Sequence, residues 1–274
     1  MEKKYLIFSD VDGTIYDRKQ EYHKETINSI KSVKNRNAEF IICTGNPYLQ
    51  NMQELAKLLE VRYFVGSNGA MAIDIQENKI LHLNSLTKQE AQIIFDIAIE
   101  NEVSLDWWDL KYIYANKYKL KGLDKIFKEI VARDMKIITT NKVGNNVLKM
   151  EIICENVDEE IVKLDIIEIK LKKLGFQTSR MRPVHIEITS NNVSKGDGAL
   201  ALVNKFEINI ENVMTIGDGT NDWPMLKVTN NSYAMGNSSD ATKKVAKNIT
   251  DHVLKNGLGN AMNDFLNKME NKND

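Results

Sequence analysis

Apolar and polar positions follow two rhythms along this chain. In the first third, short apolar runs alternate with stretches of helical period. Tyr5-Leu6-Ile7-Phe8 is continuous, as expected of a strand buried on both faces. Ile27, Ile30 and Val33 recur at helical spacing, and Phe40-Ile41-Ile42-Cys43 is a second buried run. Pro47 suits the first turn of a helix, whose apolar stripe is Leu49, Met52, Leu55 and Leu59. Tyr63-Phe64-Val65 is a third run. This β-α-β-α-β order predicts a parallel sheet with helices on its faces.

The rhythm changes near residue 70. Met71 to Ile75 and Ile80 to Leu83 predict a hairpin, and Thr87 to Glu90 is a capping box opening a helix through about Glu100. Leu105 to Trp108 and Tyr112 to Ala115 predict another hairpin, followed by a helix near Leu123 to Arg133. Val147 to Cys154 reads as a strand, Asp158 as the cap of a long helix that Gly175 ends, and Phe176 to Met181 with Val184 to Ile188 as a strand pair. From about Ala199 the opening rhythm returns: a helix over Ala199 to Phe206, a strand over Val213 to Ile216, a shorter one over Ser232 to Met235, then helices near Ala241 and Ala261. The expected architecture is an α/β protein: a Rossmann-like parallel-sheet core, residues 1–84 and 189–274, interrupted by an inserted α+β domain over 85–188.

Composition narrows the function. The chain is 42% hydrophobic and 27% charged, and 37 Lys plus Arg nearly balance 38 Asp plus Glu, so no basic excess points to nucleic acid. Two cysteines, Cys43 and Cys154, make neither a disulfide framework nor a zinc motif. The N-terminal apolar run is too short for a signal-peptide core, and no run approaches the ~18 residues of a membrane span. A cytoplasmic protein with no membrane partner is expected; oligomeric state is not encoded in these features.

Three polar clusters directly follow predicted core strands: Asp10-Val11-Asp12-Gly13-Thr14, Thr44-Gly45-Asn46 and Gly217-Asp218-Gly219-Thr220-Asn221-Asp222. Each alone is ordinary turn chemistry. Together they converge, because ligands of doubly wound sheets bind beyond the carboxyl ends of the strands. Calcium loops fail: Ile15 and Trp223 stand where an EF-hand needs its sixth-position glycine. No P-loop occurs, and Gly217 and Gly219 do not extend to a dinucleotide fingerprint.

These clusters resemble the motifs of the haloacid dehalogenase-like phosphatases. Asp10-Val11-Asp12-Gly13-Thr14 looks like the first motif and Thr44-Gly45 like the second. Lys195 in Ser194-Lys195-Gly196 resembles the third, and the Asp218 cluster the fourth. Their order is similar to the Cof-type (IIB) branch, as is Ser67-Asn68-Gly69-Ala70. The resemblance implies a Mg²⁺-dependent phosphatase of a small phosphorylated metabolite, a sugar phosphate or a phosphorylated cofactor precursor. It implies Asp10 as nucleophile, Asp12 as acid and base, and Lys195 as the cation at the nucleophile and phosphate. Thr44, Gly45 and Asn221 would bind the phosphate. Asp10, the Asp12 carbonyl and Asp218 would hold the metal, with Asp222 supporting the metal waters or Lys195. The chemistry is coherent. Carboxylates attack phosphate esters, and like charges about 4 Å apart repel by roughly 4 kcal/mol at an effective dielectric of about 20, so the cluster needs a cation. Two departures stand out: Asn46 follows Thr-Gly where the family often carries Arg, and Trp223-Pro224 is unusual inside the fourth motif.

The resemblance also implies that the inserted domain selects the leaving group. Asp106-Trp107-Trp108, Tyr112 and Tyr114 are candidates for a substrate face, against the alternative of a half-buried sheet. His185 and Glu187 share a strand face toward the site or water, His82 reads as structural, and Arg180 and Arg182 are candidates for a second anionic group. A phosphomannomutase-type sugar phosphomutase is the alternative activity, and a non-enzymatic metabolite-binding regulator a third.

Overall fold

The computed structural model describes residues 5–17, 19–118, 137–154 and 157–272. They form two compact units, one of Met1–Asn46, Glu54–Leu83 and Ser194–Asp274, the other of Pro47–Gln53 and Asn84–Val193.

The chain opens with β1 (Tyr5–Ser9), all five residues buried, then α1 (Lys24–Ser32), β2 (Ala38–Cys43), α2 (Gln50–Leu59) and β3 (Tyr63–Gly66), the predicted order. Pro47 does not open α2. The Leu49 N–H bonds the Pro47 carbonyl at 2.8 Å, and this tight turn delays the helix to Gln50. The predicted hairpin follows as β4 (Met71–Asp74) and β5 (Lys79–Leu83), and β4 joins β3 antiparallel.

The second unit contains α3 (Lys88–Glu100), β6 (Ser104–Trp108), β7 (Ile113–Ala115), β8 (Ile137–Thr139), β9 (Lys149–Ile153), α4 (Val157–Lys173), β10 (Gln177–Arg182) and β11 (His185–Thr189). The capping box is formed: Thr87 Oγ1 accepts from Glu90 N–H, and Glu90 accepts from Thr87 N–H. The helix expected near Leu123 to Arg133 lies outside the described residues. Helix α4 starts at Val157, so Asp158 is a helical residue and not the cap; Gly175, at φ +90°, lies just past its end as anticipated. The sheet order is β10-β11-β9-β6-β7-β8.

Strand alternation gives this second sheet two chemically distinct faces. Leu105, Trp107, Met150, Ile152, Ile186 and Ile188 join Ile94, Phe95, Leu164 and Ile167 in one apolar core. The other face carries Asp106, Trp108, Lys149, Glu151 and Glu187 in cross-strand register. The buried Lys149 ammonium lies 2.8 Å from Glu151 and 2.5 Å from Glu187, and 4.5 Å above the Trp108 ring. The anticipated aromatic substrate face is therefore split. Trp107 packs edge-on to Phe95 and stacks on Tyr114 in the core, Trp108 lies on the charged face, and Tyr112 is exposed. Glu187 does not face open water: it is buried and ion-paired. Arg180 is engaged by Asp165, Glu168 and the Pro183 carbonyl, which leaves it poorly placed for an anion; the Arg182 side chain lies outside the described residues.

The chain returns with α5 (Lys195–Lys205), β12 (Val213–Gly217), α6 (Trp223–Leu226), β13 (Asn231–Ala234), α7 (Asp240–Val245), β14 (Asn248–Ile249) and α8 (Gly257–Asn271). The first sheet has the order β14-β13-β12-β1-β2-β3-β4-β5, parallel from β14 to β3. Successive strands are added on one side of β1 through β2 and β3 and on its other side through β12, β13 and β14, which places a topological switch point between β1 and β12. Among the described residues, no helix is long and apolar enough to cross a membrane.

Burial opposes ionisation of Glu151, but Lys149 and His185 outweigh it and hold the carboxyl well below the usual range. We predict that Lys149→Met, which leaves two buried glutamates facing each other, destabilises the protein by about 3–5 kcal/mol at pH 7. The wild type loses the Lys149 contribution as pH falls below the unfolded glutamate pKa of about 4.3, whereas the variant's glutamates take up protons early. The gap measured by denaturant unfolding should therefore narrow toward pH 4.

Candidate active site

Strands β1, β2 and β12 lie side by side, with Ser9 in register with both Ile42 and Ile216. The residues that follow, Asp10, Thr44 and Asp218, thus emerge at one sheet edge. The backbone fixes them there: Asp10 N–H bonds the Ile216 carbonyl at 3.0 Å, and Thr44 N–H the Val65 carbonyl at 2.9 Å. After β1 the chain turns tightly, with Ile15 N–H on the Val11 carbonyl and Gly13 N–H on the Tyr16 carbonyl. Gly13 has φ +81°, and a Cβ there would sit 2.2 Å from Asp218 Oδ2. Only glycine lets the Asp218 carboxylate approach this turn.

Lys195 enters from the start of α5 and is 1% exposed. Its Nζ donates to Asp10 Oδ1 at 2.5 Å and to Asp222 Oδ1 at 2.6 Å. The second Asp222 oxygen accepts from the N–H groups of Asp218 and Gly219 at 2.9 and 2.8 Å. Asp222 is thereby committed to Lys195 and to the turn that carries Asp218. The helix start is seated by Ser67-Asn68-Gly69, three successive residues with positive φ. A Cβ on Gly69 would lie 2.0 Å from the Ser194 carbonyl oxygen, so backbone packs on backbone. The same turn braces the loop after β2: Ser67 N–H bonds the Asn46 carbonyl and Asn68 N–H the Thr44 carbonyl.

Thr44 Oγ1 accepts from Asn46 N–H at 3.1 Å, which leaves its hydroxyl proton to donate elsewhere. Asn221 Nδ2 comes within 3.7 Å of where a Cβ on Gly45 would stand. Asp12 is exposed and receives a hydrogen bond from Asn46 Nδ2 at 3.0 Å. All eight residues singled out in the sequence for chemistry therefore belong to the first unit and follow neighbouring strand ends or open α5. His82 lies four strands from β1, on β5, where burial lowers its pKa.

Charge is out of balance here. The carboxylates of Asp10, Asp12, Asp218 and Asp222 stand against the ammonium of Lys195. Burial raises the Asp10 pKa well above its ordinary value; Asp222 and Asp12 add to the rise, and Lys195 offsets part of it. Lys195 is held protonated: burial disfavours its charge, but Asp10 and Asp222 more than compensate. Asp12 is also raised, first by loss of surrounding water and then by Asp222, against Lys195 and Asn46. An added cation relieves this excess. Carboxylate oxygens of Asp10, Asp218 and Asp222 lie within 4.8 Å of one another and form a hard-oxygen donor group. A second acidic group of the described residues, Glu151, His185 and Glu187, already holds the Lys149 ammonium.

Sequence reading missed Asn237. Its Nδ2 donates to the Gly13 carbonyl at 2.8 Å and lies 3.4 Å from Asp218 Oδ2, while its Oδ1 accepts from Val253 N–H. A signal existed: Gly236-Asn237 follows β13, the next parallel strand, as the other clusters follow theirs.

A sequence model described as haloacid dehalogenase-like hydrolase matches residues 7–262. Among curated proteins, the 5-amino-6-(5-phospho-D-ribitylamino)uracil phosphatase YcsE of Bacillus subtilis is 23% identical over 266 residues, covering 95% of both chains. Among solved structures, a haloacid dehalogenase-like hydrolase from Bacteroides thetaiotaomicron superposes with a TM-score of 0.82 at 24% identity, covering 96% of this chain and 99% of that one. A subclass IIB sugar phosphatase gives 0.79 at 21% identity, covering 95% and 98%.

The Gly13 contact is testable. Gly13→Ala combines a left-handed φ with a clash against Asp218; we predict a loss of about 1–3 kcal/mol in calorimetry and a displaced Asp218 carboxylate in a crystal structure of the variant.

Proposed function

This chain belongs to the haloacid dehalogenase-like hydrolases, and from that premise we propose that it hydrolyses phosphate monoesters of small metabolites through an aspartyl phosphate on Asp10. One observation carries the reading: a buried lysine clamps the Asp10 carboxylate at a sheet edge, beside a threonine hydroxyl with a proton to donate.

The substrate phosphoryl group is held by the Thr44 hydroxyl, the Gly45 amide, Asn221 and Lys195. Lys195 holds Asp10 Oδ1, so Oδ2 is the attacking oxygen. Attack forms the Asp10–phosphorus bond and breaks the ester bond to the leaving alcohol, which takes its proton from Asp12. Asp12, now a carboxylate, removes a proton from the water that attacks the phosphorus. Inorganic phosphate leaves and Asp10 is restored. The raised pKa of Asp12 suits this role, because a carboxyl with the ordinary pKa of about 3.9 holds too little proton near neutrality.

The donor group fits Mg²⁺, held by Asp10, Asp218 and the Asp12 carbonyl with Asp222 behind them. When bound, the ion neutralises the carboxylates and phosphate oxygens that would otherwise repel. In this reading residues 1–84 and 189–274 carry the chemistry, and 85–188 select the leaving group. A sugar phosphate or a phosphorylated cofactor precursor is the proposed substrate class. Both the ribitylaminouracil and sugar phosphatases among the similar proteins bear names that place phosphate on a polyol or sugar.

Asp10→Asn should lower kcat by about a thousandfold or more while circular dichroism shows the fold retained. Wild-type turnover in that variant refutes the nucleophile. Chelation of divalent metal should abolish release of inorganic phosphate and added Mg²⁺ restore it, with a panel of phosphorylated metabolites as substrates. Undiminished activity in metal-free enzyme refutes the metal assignment. Phosphate release without a bisphosphate activator separates the enzyme from a mutase.

A further inference from the structure

We propose that Asn46 is a positioning residue that fixes which oxygen of Asp12 carries the transferable proton, an inference that rests on the acid and base role of Asp12. The side chain reaches from the loop after β2 to the turn after β1, and its Nδ2 donates to Asp12 Oδ2 at 3.0 Å. A side-chain NH₂ has donors and no acceptor, and the carbonyl-type oxygen of a carboxylic acid accepts better than its hydroxyl oxygen, so the bond favours an unprotonated Oδ2. The acid form of Asp12 therefore bears its proton on Oδ1. When Asp12 is a carboxylate, the same bond restrains its rotation and leaves Oδ1 as the oxygen that Asn46 does not engage.

The backbone of Asn46 is anchored on two sides. Its N–H donates to the hydroxyl oxygen of Thr44 at 3.1 Å, and its carbonyl accepts from Ser67 N–H at 3.0 Å. The residue that holds the proton donor is thus tied to the residue proposed to hold the phosphate. Asp12 keeps solvent access although protein displaces part of the water around its carboxyl, so packing alone does not fix the carboxyl's orientation. Asn46 supplies the orientation that burial does not.

A structural residue and a proton-positioning residue differ in their response to the leaving group. An alkoxide needs a proton as the ester bond breaks; a 4-nitrophenolate does not. The test compares kcat/KM, which covers the step in which the leaving group departs, for 4-nitrophenyl phosphate and for an alkyl phosphate, using wild type, Asn46→Ala, Asn46→Gln and Asp12→Ala. A correctly placed general acid contributes about 10²–10⁴-fold. Asn46→Ala should therefore lose about tenfold or more on the alkyl ester and less than about threefold on the nitrophenyl ester, and Asn46→Gln, which keeps the donor, should recover part of the loss. Asp12→Ala should show the same selectivity more strongly. Equal losses on both esters in Asn46→Ala, or no loss on either, overturn the inference when Asp12→Ala remains selective. An unselective Asp12→Ala overturns the acid and base role itself, and the inference with it.

Discussion

A lysine that is 1% exposed holds two aspartates, and the rest of the first unit is arranged around that fact. Removing an ammonium from water costs several kcal/mol unless its partners are close and well oriented. Here the partners are supplied by the chain ends of β1 and β12, and the lysine by the first turn of α5. One of the partners, Asp222, has both oxygens engaged and acts as a fixed counter-charge. The other, Asp10, meets Lys195 through Oδ1, and its second oxygen lies outside that bond. Their joint negative charge keeps Lys195 protonated, and Lys195 alone cannot balance the cluster. The same excess of carboxylates that raises the Asp10 pKa makes a donor group suited to an added cation.

Such an arrangement needs backbone as much as side chains. Gly13 admits the Asp218 carboxylate where any Cβ would collide, and Gly69 admits the carbonyl of Ser194. Ser67 and Asn68 hold left-handed conformations beside Gly69, which is costly for residues with a Cβ. That strain is stored where the turn must meet both the Thr44 loop and α5. Precision in the site is thus set partly by residues that touch no substrate.

Much of this was legible from the chain. Short, largely apolar runs announced β1, β2, β3 and β12 because strands buried on both faces hold few polar residues. The polar residues after them then marked the edge where the carboxylate cluster gathers, and the family resemblance supplied the roles proposed for them. What periodicity could not reveal was pairing across the second sheet. It shows that Trp107 and Trp108 point to opposite faces, but not that Lys149 would pair with Glu187, 38 residues away. Pro47 misled because a turn of its own intervenes before α2. Asn237, and the contact that Asn46 makes with Asp12, escaped for a related reason: a single asparagine is ordinary loop chemistry until the loop it meets is known.

The sheet order has a consequence for how the protein is made. β1 is one of the two middle strands of its sheet, yet its neighbour β12 begins at Val213, about two hundred residues later in synthesis. Until that segment leaves the ribosome, a largely apolar strand has one ladder edge without its native partner, which is a template for wrong pairing. Long-range parallel pairing is also slow to form. The intervening stretch, with its own apolar cluster, has the contacts to condense meanwhile. Asp10 is thus synthesised 185 residues before its clamp Lys195, and the buried ion pair between them can close only after both segments have been made.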